Sequence, residues 1–87
     1  MGRYKVLIKT SAAKEVEAVD EKKVRQRIVR KIQSLAENPR PPSSEKLSGQ
    51  ADRYRVREGH YRIVYSIEDA EREVCVVKVG HRKDVYR

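Results

Sequence analysis

The sequence predicts an α+β fold: an N-terminal strand, two helices, then a mainly antiparallel sheet meander with the helices on one face. Three observations predict it. An alternating apolar run opens the chain, two stretches with helical apolar spacing follow, and three strand-like runs separated by short polar turns complete it. At 87 residues the chain is expected to form a single domain spanning 1–87, because one core serves chains up to roughly 250 residues. Hydrophobic residues make up 38% and neither Phe nor Trp occurs, so Val, Ile, Leu and five tyrosines must build that core.

In Tyr4-Lys5-Val6-Leu7-Ile8-Lys9, alternation puts Tyr4, Val6 and Ile8 on one side of a half-buried strand. Thr10-Ser11 offers N-cap hydroxyls to a short amphipathic helix carrying Ala12, Ala13, Val16 and Val19. Asp20-Glu21 suits the positive end of a second helix, whose buried stripe is Val24, Ile28, Ile32 and Leu35 and whose end is set by Asn38-Pro39. All three prolines fall within 39–44, which is therefore a surface connection from helix to sheet. Residues 45–49 fit a short edge strand or a turn. Strands are expected at 53–58, 61–67 and 73–79, joined by a tight turn at Glu58-Gly59-His60 and a polar turn at 68–72.

Strand parity assigns the faces. Tyr54, Val56, Tyr61, Ile63, Tyr65, Ile67, Cys75, Val77 and Val79 fit the core, leaving Val64, Ser66, Val76, Gly80 and the cations opposite. The uncovered face would be a cationic shelf of Arg55, Arg57, Arg62, Lys78 and Arg82. Solubility and edge protection also explain such a surface. Two features favour a binding site: most of these cations are Arg, whose planar fork grips phosphate, and the acids are displaced to 68–73.

Lys plus Arg number 21 against 13 acids, giving a net charge of +8. Segments 53–62 and 78–87 each hold four cations and one acid, so a polyanion is the leading class of partner. A lone Cys75 in a Val run cannot form an internal disulfide and points to a reducing, cytoplasmic setting. No apolar stretch approaches the roughly 20 residues of a membrane span.

Metal-ligand spacings, a Gly-rich phosphate loop and nucleophile-elbow motifs are missing, so neither metal nor small-molecule cofactor is expected. His60 and His81 would make an acid–base pair only if brought together, and parity argues against it, with a turn for one and a structural place for the other. Glu68, Asp69, Glu71 and Glu73 read as a solvated acidic turn, and Asp84 as a surface partner of Lys83 or Arg82. What remains is Tyr–Arg chemistry. Tyr86 lies among Arg82, Lys83 and Arg87, cations that would favour its phenolate over a reference pKa near 10. RNA supplies its own nucleophile, the 2′-OH, so a base and a charge clamp would suffice. A ring packed over the sheet end with its hydroxyl in water is the alternative for Tyr86.

Lys46-Leu47-Ser48-Gly49, Tyr54-Arg55-Val56-Arg57, Gly59-His60-Tyr61-Arg62-Ile63-Val64-Tyr65 and Val79-Gly80-His81-Arg82-Lys83-Asp84-Val85-Tyr86, in this order and spacing, resemble the RelE family of toxins within the RelE/ParE superfamily. The resemblance implies a ribosome-dependent endoribonuclease that cuts translated messenger RNA and is neutralised by a cognate antitoxin. By that resemblance Arg62 stabilises the transition-state phosphate, Arg82 serves the leaving group and Tyr86 is the general base. Arg55 and Arg57 position the RNA, with Lys78 and Lys83 as further RNA-binding cations. Ser48 stands where some members have a basic residue, and the Arg82-to-Tyr86 spacing is shorter than in some members. A non-hydrolytic, ParE-like poison of DNA gyrase and a plain basic RNA-binding protein remain as alternatives.

Overall fold

Apolar periodicity gives each element one buried face, and the structure, a computed structural model describing residues 3–47, 49 and 52–81, shows where those faces meet. In chain order the elements are β1 (Lys5–Ile8), α1 (Thr10–Glu17), α2 (Lys22–Ser34), β2 (Glu45–Lys46), β3 (Arg53–Glu58), β4 (Tyr61–Glu68) and β5 (Glu73–His81). The strands form one sheet in the order β1-β5-β4-β3-β2. Strands β2 to β5 pair antiparallel, while β1 runs parallel to β5, so after β1 the chain passes through α1 and α2 to the opposite edge of the sheet at β2 and the meander then returns to β5. The α+β class, the meander and the covered face all agree with the sequence reading.

One face of the sheet presents Val56, Ile63, Tyr65, Ile67, Val74, Val76 and Val79 to Ala12, Val16, Val19, Ile28, Ile32 and Leu35. Each buried Val, Leu or Ile contributes about 1.5–3 kcal/mol relative to exposure, which is how a chain with few aromatics holds together. Gly59 sits at φ +61° in the β3–β4 turn, a conformation most residues avoid. No helix among the described residues is long and apolar enough to cross a membrane.

Two expectations about these elements are overturned. Residues Thr10 and Ser11 do not cap α1: the chain passes straight from β1 into the helix, Lys9 takes the N-cap position without a side-chain cap, and its N–H donates to the Val76 carbonyl at 2.9 Å. Cys75 and Val77 are not the core side of β5. The β4–β5 register steps from Val64 opposite Lys78 to Tyr65 opposite Val76, so Val77 is the extra residue of a bulge. The bulge resets parity, and Val74, Val76 and Val79 become the buried set. Half-buried Cys75 instead stands between Leu7 and Ser66 on the open face. Of the two readings open for 45–49, the edge strand holds for its first two residues, which form β2.

The proline connection is fastened to the sheet, and its anchor lies in the acidic turn expected to be merely solvated. Buried Tyr65 donates its hydroxyl to the Pro39 carbonyl at 2.8 Å. Arg40 forks onto Asp69 at 2.8 and 3.3 Å, donates Nε–H to the Tyr54 hydroxyl at 3.2 Å and lies 5.3 Å from that ring's centroid. Tyr4 donates its hydroxyl to the same Asp69 carboxylate at 2.6 Å. Arg40 and then Tyr4 hold the Asp69 carboxyl below the usual carboxylate range. Its hydrogen bond to Asp69 raises the Tyr4 phenol, and burial raises that of Tyr65. This clamp fixes where the loop delivers β2.

Candidate functional site

Because Val56 faces the helices, its neighbours Arg55 and Arg57 project from the opposite face of β3. Register then gathers the charges. Arg57 stands opposite Arg62, which stands opposite Gly80, and Arg55 lies between Glu45 and Val64. Arg55, Arg57 and Arg62 therefore line one cleft of about 90 Å³ together with Ser43 and Glu45. That volume equals a few water molecules at ~30 Å³ each.

The helix-free face was expected for Arg62, but not its depth: only 5% of the residue is exposed. It lies on β4, the middle strand of five, with Arg57 opposite on one side and Gly80 on the other. Val64, expected on the open face, is buried there too, at 7% exposure. Arg57 directly across from Arg62 is a like-charge pair, which costs stability in a sheet.

Among the described residues Glu45 brings a carboxylate to these arginines. It forms an ion pair with Arg55 across the β2–β3 register. Arg55 by hydrogen bonding and charge, then Arg57 and Arg62 by charge, hold the Glu45 carboxyl below the ordinary carboxylate range. Its side chain is nonetheless 65% exposed, against 19% for that of Arg55. A site of this kind can bind a phosphate group through planar, charge-assisted hydrogen bonds.

Lys78, expected on the shelf, reaches the sheet edge instead. There β1 has ended, and Glu15 of α1 accepts from the Val79 N–H at 2.8 Å and pairs with Lys78 Nζ at 3.2 Å. His60 and His81, expected apart, stack with ring centroids 6.0 Å apart, and His81 meets Tyr61 edge-on at 5.6 Å. Their meeting follows from the pairing of Tyr61 with His81. Neither ring lines the arginine cleft. Arg82, Lys83 and Tyr86, with Ser48, lie outside the described residues. Among the described residues no group of three or more His, Cys, Asp or Glu could hold a metal ion.

Sequence reasoning missed Glu45 and Ser43 in the cleft. Assigning 45–46 as an antiparallel partner of β3 would have placed Glu45 opposite Arg55.

Residues 6–86 match the family model described as the ParE toxin of the type II toxin–antitoxin system parDE. A RelE-like toxin protein of Escherichia coli is 36% identical over 88 residues, covering 97% of this chain and 90% of that protein. The archaeal RelE–RelB complex from Pyrococcus horikoshii OT3 contains a chain similar at TM-score 0.81 and 28% identity, covering 94% of this chain and 97% of that one. The intact Escherichia coli RelBE toxin–antitoxin complex gives TM-score 0.76 and 31% identity over 90% of this chain and 95% of that one. Matched over nearly its whole length by a family model and by a relative that it nearly spans in turn, the chain belongs to the RelE/ParE superfamily of toxins from type II toxin–antitoxin systems.

Proposed function

We propose that the protein is a metal-independent, ribosome-dependent endoribonuclease that cuts messenger RNA under translation and is held inactive by a cognate antitoxin. The observation that supports this most is the convergence of Arg55, Arg57 and Arg62 on one phosphate-sized cleft. In the proposed reaction the RNA 2′-oxygen attacks the adjacent phosphorus as its proton passes to Tyr86, acting as phenolate base. The P–O5′ bond breaks, leaving a 2′,3′-cyclic phosphate, and the departing 5′-oxygen takes a proton from solvent water while Arg82 stabilises its developing charge. Arg62 stabilises the charge on the five-coordinate phosphorus, while Arg55, Arg57 and Lys83 hold the backbone. Lys78 joins them only by giving up its contact with Glu15.

The RelE–RelB assemblies among the similar structures support an antitoxin partner. A groove of about 580 Å³ offers it an apolar floor of Ile8, Ala13, Val16 and Val29, rimmed by Glu17, Arg25, Gln26 and Arg30. Ile8 and Val29 are 41% and 38% exposed, so a partner's apolar side chains would cover them.

Matching a ParE model favours a second reading, a non-hydrolytic gyrase poison. Inducible expression followed by primer extension on a translated message separates the two. Cleavage within the open reading frame, abolished by Tyr86→Phe with ribosome binding retained, is the expected result. Toxicity with intact message and damaged DNA supports gyrase.

A further inference from the structure

We propose that Glu45 is a displaceable counter-anion that occupies the phosphate seat of the arginine cleft until a phosphate expels it, which makes the cleft selective for ligands of high negative charge. The inference deepens the RNA-cleaving reading and takes its ligand from it.

Geometry supports the assignment at three points. Glu45 lines the same small cleft as Arg55, Arg57 and Arg62, and its carboxylate pairs with Arg55 where a phosphate oxygen would bind. It belongs to β2, a two-residue edge strand, and its side chain is largely exposed, so it can swing into solvent without disturbing the core. Two of the arginines cannot leave as easily, because Arg62 is buried and the Arg55 side chain is only 19% exposed, whereas Arg57 stands exposed at the rim. A fixed cationic wall facing a mobile anion is a competitive arrangement: the carboxylate relieves repulsion between the guanidiniums when the cleft is empty, and a monoanion gains little by replacing it. A phosphodiester strand gains more, because neighbouring phosphates add their own contacts.

Glu45→Gln keeps the side-chain shape and removes the charge. Pyrophosphate is titrated into the purified protein while the arginine side-chain N–H signals are followed by NMR, with the backbone amide spectrum reporting the fold. Glu45→Gln and Glu45→Ala are expected to bind pyrophosphate about five- to tenfold tighter than wild type, the size expected when one like charge is removed at contact distance. Glu68→Gln makes the same change in net charge at the far end of β4 and is expected to leave affinity within about twofold. Equal or weaker binding in either Glu45 variant overturns the proposal, as does an equal gain in Glu68→Gln. A non-cleavable 2′-O-methyl RNA oligomer serves as the second probe. If the Glu45 variants gain pyrophosphate affinity but no form binds RNA, the counter-anion role stands and the RNA reading fails. If wild type binds RNA and the variants gain nothing for either probe, the counter-anion role alone fails.

Discussion

Arg40 and Arg55 each pair with a carboxylate, yet their surroundings treat charge in opposite ways. Around Arg40, Asp69 takes both prongs of the fork, Tyr4 supplies the carboxylate with another donor, and the Tyr54 ring lies beneath the guanidinium. In the cleft, Arg55, Arg57 and Arg62 share Glu45, and Arg57 directly opposes Arg62. The first arrangement is locally neutral and joins a proline loop to the sheet. The second gathers three guanidiniums on a strand pair around one carboxylate among the described residues, and clustered charge of one sign lowers stability and raises affinity for anions. The loop runs from one to the other: residues fixed at Pro39 and Arg40 lead directly to Ser43 and Glu45.

The largest expected effect is on chemistry. Arg62→Ala should lower the rate of message cleavage on ribosomes by a factor on the order of 10² or more, as loss of a transition-state charge clamp does. Arg62→Lys should not restore it, since an ammonium cannot reproduce the planar fork. The melting point should change little, because relief of the Arg57–Arg62 repulsion offsets the lost packing of the buried stem. Full cleavage in Arg62→Ala would make the cleft a surface charge cluster and remove the contrast with the clamp.

A clamp substitution should reverse that pattern. Tyr65→Phe leaves the ring in the core and deletes the hydroxyl that satisfies the Pro39 carbonyl. The cost is about 1–2 kcal/mol, a fall in melting temperature of at least about 4 °C for a domain of this size. Affinity for a short RNA should stay within about twofold, a modest change by comparison with the loss expected from removing a clamp arginine in the cleft. A large loss of RNA binding would mean that loop and cleft are one mechanical unit.

Acid should dissolve the clamp. Arg40, then Tyr4, stabilises ionised Asp69, so the folded chain binds that proton less readily than the unfolded one. The stabilisation is complete above the ordinary carboxylate value and is lost as pH falls through the lower folded value. The difference in melting temperature between wild type and Asp69→Asn should therefore be greatest near neutrality and shrink below about pH 4. Glu45 titrates in both proteins over a similar range and cancels in the difference. A difference that persists at low pH would assign the contribution of Asp69 to something other than its charge.

Much of the fold was legible because apolar spacing and turn chemistry are local. The stripe from Val24 to Leu35 and the three meander strands needed only neighbouring residues. Parity put Arg55, Arg57 and Arg62 on one face for the same reason. The bulge at Val77 was not legible, since an extra residue in one strand is defined by its partner, and a run of Val74-Cys75-Val76-Val77 is apolar in either register. Pairings between remote segments were also hidden. Arg40 with Asp69, Glu15 with Lys78 and Glu45 with Arg55 join residues whose sequence contexts say only that each is charged and near the surface. The burial of Arg62 needed the strand order, because only a central position covers an arginine from both sides.

The smallest and most discriminating change is Arg to Lys in each region. Arg40→Lys keeps the charge but loses the two-pronged contact with Asp69, the hydrogen bond to Tyr54 and the guanidinium placed over its ring. Melting temperature should fall by a few degrees with RNA affinity unchanged. Arg55→Lys keeps the charge where charge is the main requirement, so RNA binding should weaken by only about two- to threefold, with the slope of log affinity against log salt retained. One ammonium can still pair with Glu45 before a phosphate enters and with the phosphate afterwards, because neither contact needs more than one prong. These outcomes oppose each other because geometry governs a neutral, fully bonded network whereas total charge governs an ion-binding wall. A slope reduced by about one in Arg55→Lys would mean that Arg55, like Arg62, works through its fork, and the contrast between the regions would then rest on Glu45 alone.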